Sequence, residues 1–222
     1  VDHATLDIVD IAGRVKGASR GEGLGHQFVG NIRECDAIIH VLRCFDNGNI
    51  VHVDGSVDPV RDKEIIDTEL QLKDLETVET RIKRVEKLAN VGGDKQAKIE
   101  YGLLLRYKEA LEQGKSARVV ELENEEEVAA SKNMFLLTTK PVLYVCNVDD
   151  TSAKEGNQYV DAVRNAIQGE DAELIIISAQ TEADIADLET YEEKQMFLED
   201  MGLEESGCNR LIKAIYSLLN LE

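Results

Sequence analysis

Asp10 and Gly13 stand in the spacing DxxG where an apolar run, Leu6–Ile11, gives way to a glycine-rich stretch from Arg14 to Gly25. An Asp at the end of a buried strand can hold Mg²⁺, usually through water, and a Gly three residues on lets its N–H approach a terminal phosphate with no side chain in the way. Two later groups supply complementary chemistry. Asn147-Val148-Asp149-Asp150 closes the apolar run Val142–Val148 in the pattern NxxD. A guanine-reading site has NKxD there, with Asn and Asp on the base and the Lys stem packed over it. Val148 takes the Lys position, which loosens the case for guanine; on its own the tetrapeptide also reads as a strand-ending turn rich in Asn and Asp. Ser178-Ala179-Gln180 follows the run Leu174–Ser178 and is similar to an SAK turn whose backbone meets a base. Each group is weak alone; strand–DxxG, strand–NxxD and strand–SA in this order, each at a carboxyl end, carry more.

Two other glycine motifs do not hold up. Gly114-Lys115-Ser116 looks like the end of a phosphate loop, but G-x₄-GK[ST] requires Gly where Glu109 stands and no strand precedes it, so it reads as a helix end. Gly21-Glu22-Gly23-Leu24-Gly25 suggests a dinucleotide loop, yet the third spaced Gly is missing and Asp10 already closes the strand.

The elements that must position these residues are legible in the apolar pattern. Leu6–Ile11, Ala37–Leu42, Val142–Val148 and Leu174–Ser178 are short, nearly continuous apolar runs, as expected for strands of a parallel sheet covered on both faces. Ligands of such a sheet lie beyond the carboxyl ends of its strands. Between the second and third runs, Leu75, Val78, Ile82, Val85 and Ala89 recur three and four apart; Gly92-Gly93 interrupts, and Ala97, Tyr101, Leu104 and Leu111 continue to Gly114. This predicts an antiparallel helical hairpin projecting from an α/β domain. Glu205 to Leu221 reads as a final helix packing back on the sheet.

The chain has 222 residues, 43% of them hydrophobic, enough for a substantial core in one or two domains. Its formal charge of −19 argues against binding nucleic acid or anionic membrane over most of its surface, and sequence-specific DNA binding is not expected; a local basic patch remains compatible. The acidic cluster Glu121–Glu127 reads as a solvated helix start rather than a binding tail. No apolar run approaches the ~20 residues of a membrane span. Cys35, Cys44, Cys146 and Cys208 are far apart, and three sit within or beside apolar segments, so buried thiols in a reducing cytoplasm are expected rather than disulfides or a metal site.

The segments VDIAG, KGASRGEGLGHQFVGNIRECDAIIHVLRCF, IVHVDGSVDPVRD, TELQLKDLE and FLLTTKPVLYVCNV together resemble the Obg-like ATPase (YchF) family of P-loop NTPases, and the resemblance covers essentially the whole chain. It implies a partial P-loop NTPase domain over residues 1–61 and 134–222, with a helical coiled-coil domain, 62–133, inserted in it. It further implies an Mg²⁺-dependent ATPase that prefers ATP to GTP, with the ribosome, its large subunit, as partner; it implies no oligomeric state. By position, Asp10 matches the family's Mg²⁺-side Asp and Gly13 its γ-phosphate contact. Asn147 and Val148 match the adenine-contacting positions, and Ser178 and Ala179 the last base-side loop. His52 matches a histidine that serves hydrolysis where Ras-like enzymes use Gln, and a neutral imidazole can orient a water. Arg14 stands where the family has an apolar residue and reads as a solvent-facing switch residue, with an arginine finger in cis as the alternative. Asp150 stands where Glu is common.

The phosphate loop expected before Val1 and a TGS domain expected after Glu222 are both outside the sequence, so the chain reads as the middle of a longer protein. A polypeptide of these residues alone is expected to bind nucleotide weakly, lacking the Lys and backbone nest that neutralise the β- and γ-phosphates. Two competing expectations are a true GTPase, because Asn147 and Asp150 are kept, and a nucleotide-independent module that binds its partner through the hairpin.

Overall fold

A computed structural model describes residues 30, 32–46 and 56–220. The expected strand Leu6–Ile11, with Asp10, Gly13 and the glycine-rich stretch, and the loop bearing His52 lie outside the described residues. In chain order the elements are β1 (Ile38–Arg43), α1 (Pro59–Asn90), α2 (Lys95–Glu112), α3 (Glu125–Lys132), β2 (Val142–Asn147), α4 (Gln158–Ala166), β3 (Glu173–Ile177), α5 (Ala179–Ala186), α6 (Tyr191–Asp200) and α7 (Gly207–Leu218). They fall into two compact units. One takes the described residues of Ala37–Lys63 and Val142–Glu222; the other takes those up to Asp36 together with Glu64–Pro141.

The first unit is built on a parallel sheet of order β1-β2-β3, with Ile38 opposite Val142 and Leu143 opposite Glu173. Alternate residues of the central strand serve opposite faces. Val142, Tyr144 and Cys146 join Leu42, Cys44 and Ile176 beneath Val160 and Val163 of α4. Leu143 and Val145 join Ile175 beneath Ala214 and Ile215 of α7. Burial on both sides is why these strands read as continuous apolar runs instead of alternating ones, and each fully buried Leu or Val contributes about 1.5–3 kcal/mol. The three described strands begin and end within one residue of the runs in the sequence, and the expected last helix is α7.

Side-chain caps tie helices to strands. Asn157 caps α4 by accepting from the N–H groups of Tyr159 and Val160, and its amide nitrogen donates to the carbonyl of Cys44 at 2.7 Å, just past β1. Lys63, in the first turns of α1, pairs with Glu170 at 3.0 Å, and Glu170 also accepts from the Tyr144 hydroxyl at 2.7 Å. Cys44 and Cys146 are buried free thiols. Hydrogen bonding to Cys146, and then burial, push the Cys44 thiol up, so it stays protonated and behaves as core.

The second unit is helical. The remainder of α1 and α2 form the hairpin, with Val78, Leu103, Leu104, Tyr107 and Leu111 at its centre and Leu75, Ile82 and Val85 packed alongside. The turn falls at Gly92-Gly93, where Gly93 has φ 68°, and Asp94 caps α2 through the Ala97 N–H. Arg81 pairs with Glu100 at 2.9 Å across it. α2 ends as the sequence suggests: Gly114 has φ 74°, and the N–H groups of Gly114 and Lys115 return to the carbonyls of Leu111 and Ala110. This is a glycine helix stop, not a phosphate loop.

The acidic cluster departs from its solvated reading at one residue. Glu121 to Glu126 are exposed around the start of α3, but Glu127 is buried. Its carboxylate pairs with Arg106 and accepts from the Glu123 N–H at 2.8 Å. A second buried carboxylate, Asp74 on α1, accepts from the N–H groups of Leu137 and Thr138 at 2.8 and 2.7 Å and from the Thr138 hydroxyl at 2.6 Å. Thr138 Oγ1 in turn accepts from the Ala117 N–H at 2.8 Å. Burial pushes the Asp74 carboxyl up, against the downward pull of Thr138 and Leu137.

Candidate functional site

The carboxyl ends of β2 and β3 come together at a single hydrogen bond. Asn147, last residue of β2, accepts through Oδ1 from the N–H of Ala179 at 3.0 Å. The backbone runs in the same sense: Val148 N–H donates to the Ile177 carbonyl at 2.9 Å, and Cys44 N–H to the Asn147 carbonyl at 2.7 Å. Because a backbone N–H can meet only an acceptor, the Ala179 contact fixes which end of the Asn147 amide is oxygen and leaves Nδ2 as its donor. The NxxD and SA groups are therefore physically joined, on the shelf where a parallel sheet places ligands.

The other residues differ in what they offer. The Val148 side chain is 2% exposed and belongs to the core with Cys44 and Val160, so at the surface this position presents main chain. Ser178 is equally buried and caps α5, its hydroxyl accepting from the Thr181 N–H at 3.1 Å. Ala179 and Asp150 are exposed. Asp150 begins a short 3₁₀ turn, Asp150–Ser152, and accepts from the Thr151 N–H at 3.0 Å. Asp149, between Val148 and Asp150, caps that turn through the Ser152 N–H at 2.9 Å and the Thr151 hydroxyl at 3.0 Å. Hydrogen bonding from Ser152 holds its carboxyl below the usual carboxylate value. Both acids are exposed; Asp149 is the one that caps the turn, while Asp150 accepts from the N–H of its neighbour Thr151.

Sequence reasoning did not single out Glu182. On α5, four residues past the Ser178 cap, its carboxylate accepts from the N–H groups of Gly207 and Cys208 at 2.5 and 3.3 Å and so caps α7. A Cβ on Gly207 would stand 2.6 Å from Glu182 Oε1, which explains glycine there. The base-side loop, α5 and α7 are coupled through this contact, and the only sequence signal was a Gly beside the Ser206 cap.

Among the described residues, no group of three His, Cys, Asp or Glu side chains could hold a metal ion, and no helix is long and apolar enough to cross a membrane. Asp10, Gly13 and His52 lie outside the described residues, so the metal, phosphate and hydrolysis positions are not placed beside this shelf.

No family model matches the chain. Among curated proteins, it is 52% identical over 218 residues to the ribosome-binding ATPase YchF of Bacillus subtilis, an alignment covering 97% of this chain and 59% of that protein. It is 38% identical over 222 residues to Obg-like ATPase 1 of Caenorhabditis elegans, covering 99% of this chain and 55% of the relative. The chain belongs to the Obg-like ATPase (YchF) family. Its fold agrees with that of a YchF GTPase from Schizosaccharomyces pombe, with TM-score 0.78, 30% identity, and coverage of 93% of this chain and 57% of the other. The chain spans somewhat over half the length of these YchF relatives. The α/β sheet with a helical hairpin is therefore a YchF arrangement.

Proposed function

We propose that the shelf formed by Asn147, Asp150 and the Ser178-Ala179 turn receives the base of a purine nucleoside triphosphate. The protein would hydrolyse ATP in preference to GTP, acting as a switch on the ribosome through its large subunit. The observation that carries this reading is the Asn147–Ala179 hydrogen bond, which unites the two base-side motifs and aligns an amide donor for a ligand. Purine N7 is an acceptor in both adenine and guanine, so Asn147 Nδ2 would recognise either. The relatives named ribosome-binding ATPase and Obg-like ATPase support the ATP and ribosome parts.

The roles of the remaining residues follow from their chemistry. Asp10 is the residue that would hold Mg²⁺, which suits a hard cation bound through one carboxylate and phosphate oxygens and would neutralise charge on the β- and γ-phosphates. Gly13 would offer its N–H to the γ-phosphate. His52 would orient the attacking water. The nucleotide domain would comprise residues 1–61 and 134–222, and the inserted helical domain 62–133.

GTP is a second reading with its own support. Asp150 is an exposed, acceptor-only carboxylate, suited to the N1–H and 2-amino donors of guanine, and the similar solved structure is described as a GTPase. Competition of ATP against GTP, together with hydrolysis by His52→Ala in the protein that carries this chain, tests both. ATP should displace GTP, and His52→Ala should abolish turnover while leaving nucleotide bound. Preferred GTP binding would reverse the substrate assignment, and unchanged turnover would remove His52 from the mechanism.

A further inference from the structure

We infer that Glu182 is the positioning residue of the base shelf: its carboxylate ties the first turn of α5 to α7 and thereby holds the Ala179 N–H on Asn147. The inference rests on the proposed reading of that shelf and names what keeps it in shape. α5 is eight residues long, and its buried side chains are Thr181 and Ile185. A helix of two turns is marginal in water, and so thin a buried face does little to fix its direction. Besides the Ala179–Asn147 bond, two side chains hold its start. The Ser178 hydroxyl accepts from Thr181, a cap internal to the turn. The Glu182 carboxylate reaches outside the turn, to the N–H groups of Gly207 and Cys208, 25 and 26 residues further along the chain. The Glu182 N–H donates to the Ser178 carbonyl at 3.0 Å, which closes the helical turn that carries Ala179. A shift of Glu182 therefore acts within one turn, about 5.4 Å, of the shelf.

The far end of this strut is well seated. α7 packs Ala214 and Ile215 on Leu143, Val145 and Ile175 of the sheet. A Cβ on Gly207 would stand 3.1 Å from Ile177 Cγ2, so α7 begins against the residue that leads into Ser178. A cap for α7 does not require Glu182, because Ser206 already accepts from the Asn209 N–H at 3.2 Å, as local N-caps do. A carboxylate brought from another helix adds what a local cap cannot: it sets the distance between two elements, one carrying the shelf and the other packed on the sheet. What the strut protects is the sense of the Asn147 amide. With the Ala179 N–H on Oδ1, Nδ2 is the end left for a ligand, and purine N7 can meet only a donor. Once Ala179 moves off, the amide is free to turn over and present oxygen to N7, acceptor against acceptor. An amide divided equally between the two senses lowers the apparent affinity about twofold.

Three variants of the 222-residue chain separate this role from helix stability. Glu182→Ala removes the carboxylate. Gly207→Ala displaces it from the α7 side and leaves α5 unaltered; as the milder change, it carries the test if Glu182→Ala does not fold. Ser206→Ala weakens α7 without touching the strut. In the absence of ligand, hydrogen exchange of the Ala179 amide is measured relative to β2 amides that report global unfolding. It should be at least about fivefold faster in Glu182→Ala and Gly207→Ala, and unchanged in Ser206→Ala. In titrations with ATP–Mg²⁺ followed by the amide shifts of Asn147 and Ala179, Kd should rise at least about twofold in the first two variants and stay at the parent value in the third. Parent-like exchange or parent-like affinity in Glu182→Ala would overturn the inference. So would equal losses in Ser206→Ala, which would reduce Glu182 to a helix cap. A parent whose shelf amides do not respond to ATP–Mg²⁺ overturns the shelf reading and this inference with it, whereas a responsive parent matched by Glu182→Ala overturns the role of Glu182 alone.

Discussion

Changing Asp74 to Asn alters one atom of the carboxyl group, but it strikes the contact that joins α1 to the segment leading into β2. The carboxylate accepts three hydrogen bonds, one at Oδ1 from Leu137 and two at Oδ2 from Thr138. An Asn amide can accept at only one end. Oriented to serve Leu137, it points an NH₂ group at two donors of Thr138; oriented the other way, it faces the Leu137 N–H with a donor. The Thr138 hydroxyl can turn to accept from an NH₂ group while it keeps its bond from Ala117, but the backbone N–H groups of Leu137 and Thr138 cannot change role, so one of them faces a donor in either orientation. Losing bonds to a charged group and leaving one or two buried donors unpaired costs about 3–5 kcal/mol, a large share of the 5–15 kcal/mol typical of a folded domain. In a urea titration followed by circular dichroism, Asp74→Asn should lower the midpoint by about 1–2 M with an unchanged slope. A shift below about 0.3 M would refute the assignment of Asp74 as the buried acceptor of this segment.

The same pair of proteins carries a pH signature. Burial raises the Asp74 pKa in the folded state above its unfolded value. The folded form therefore binds the proton more tightly, and the stabilisation linked to it is complete below the unfolded pKa and lost as pH rises through the folded one. The Asn variant does not titrate there, so its deficit should be larger in mild acid than at neutral pH. A deficit that grows toward neutral pH would mean that the three donors outweigh burial.

Gly207→Ala should destabilise the chain by about 0.5–1.5 kcal/mol, because the flexible Glu182 side chain swings aside and gives up its hydrogen bonds at the start of α7. Combining it with Glu182→Ala should then cost less than the sum of the two single changes in the same urea assay, and strict additivity would contradict the steric account. Asn157→Ala removes the cap of α4 and the bond to the Cys44 carbonyl, and should cost about 1–3 kcal/mol, with faster hydrogen exchange at Tyr159 and Val160. Unchanged exchange at those two amides would contradict that account.

The parts of the fold legible in the sequence are those set by local pattern. β1, β2 and β3 appear as apolar runs because both faces of the sheet are covered, and the hairpin appears because its apolar residues recur at helical spacing up to Gly92-Gly93. The helix stop at Gly114 follows from its neighbours for the same reason. What was not legible depends on partners distant in the chain. Nothing near Asp74 announces that it will accept from Thr138, and nothing near Glu182 announces that it will cap α7. Glu127 is one of a run of acids in the sequence, and only the fold brings Arg106 beside it. In the candidate site, NxxD and SA are legible as strand ends, but only the folded chain joins Asn147 to Ala179, shows that Asp149 caps the following turn, and places the Val148 side chain in the core. α4, α5 and α6 are not marked by the pattern: each is only eight to ten residues long, too short to show a sustained apolar stripe.

Amide chemical shifts recorded while ATP–Mg²⁺ and then GTP–Mg²⁺ are titrated into the chain test the nucleotide shelf most directly. The account predicts saturable shifts clustered at Asn147, Val148, Asp150, Ala179 and Gln180, larger for ATP at equal concentration, and lost in Asn147→Ala. Saturable shifts confined to other residues, with these five unmoved, would contradict it.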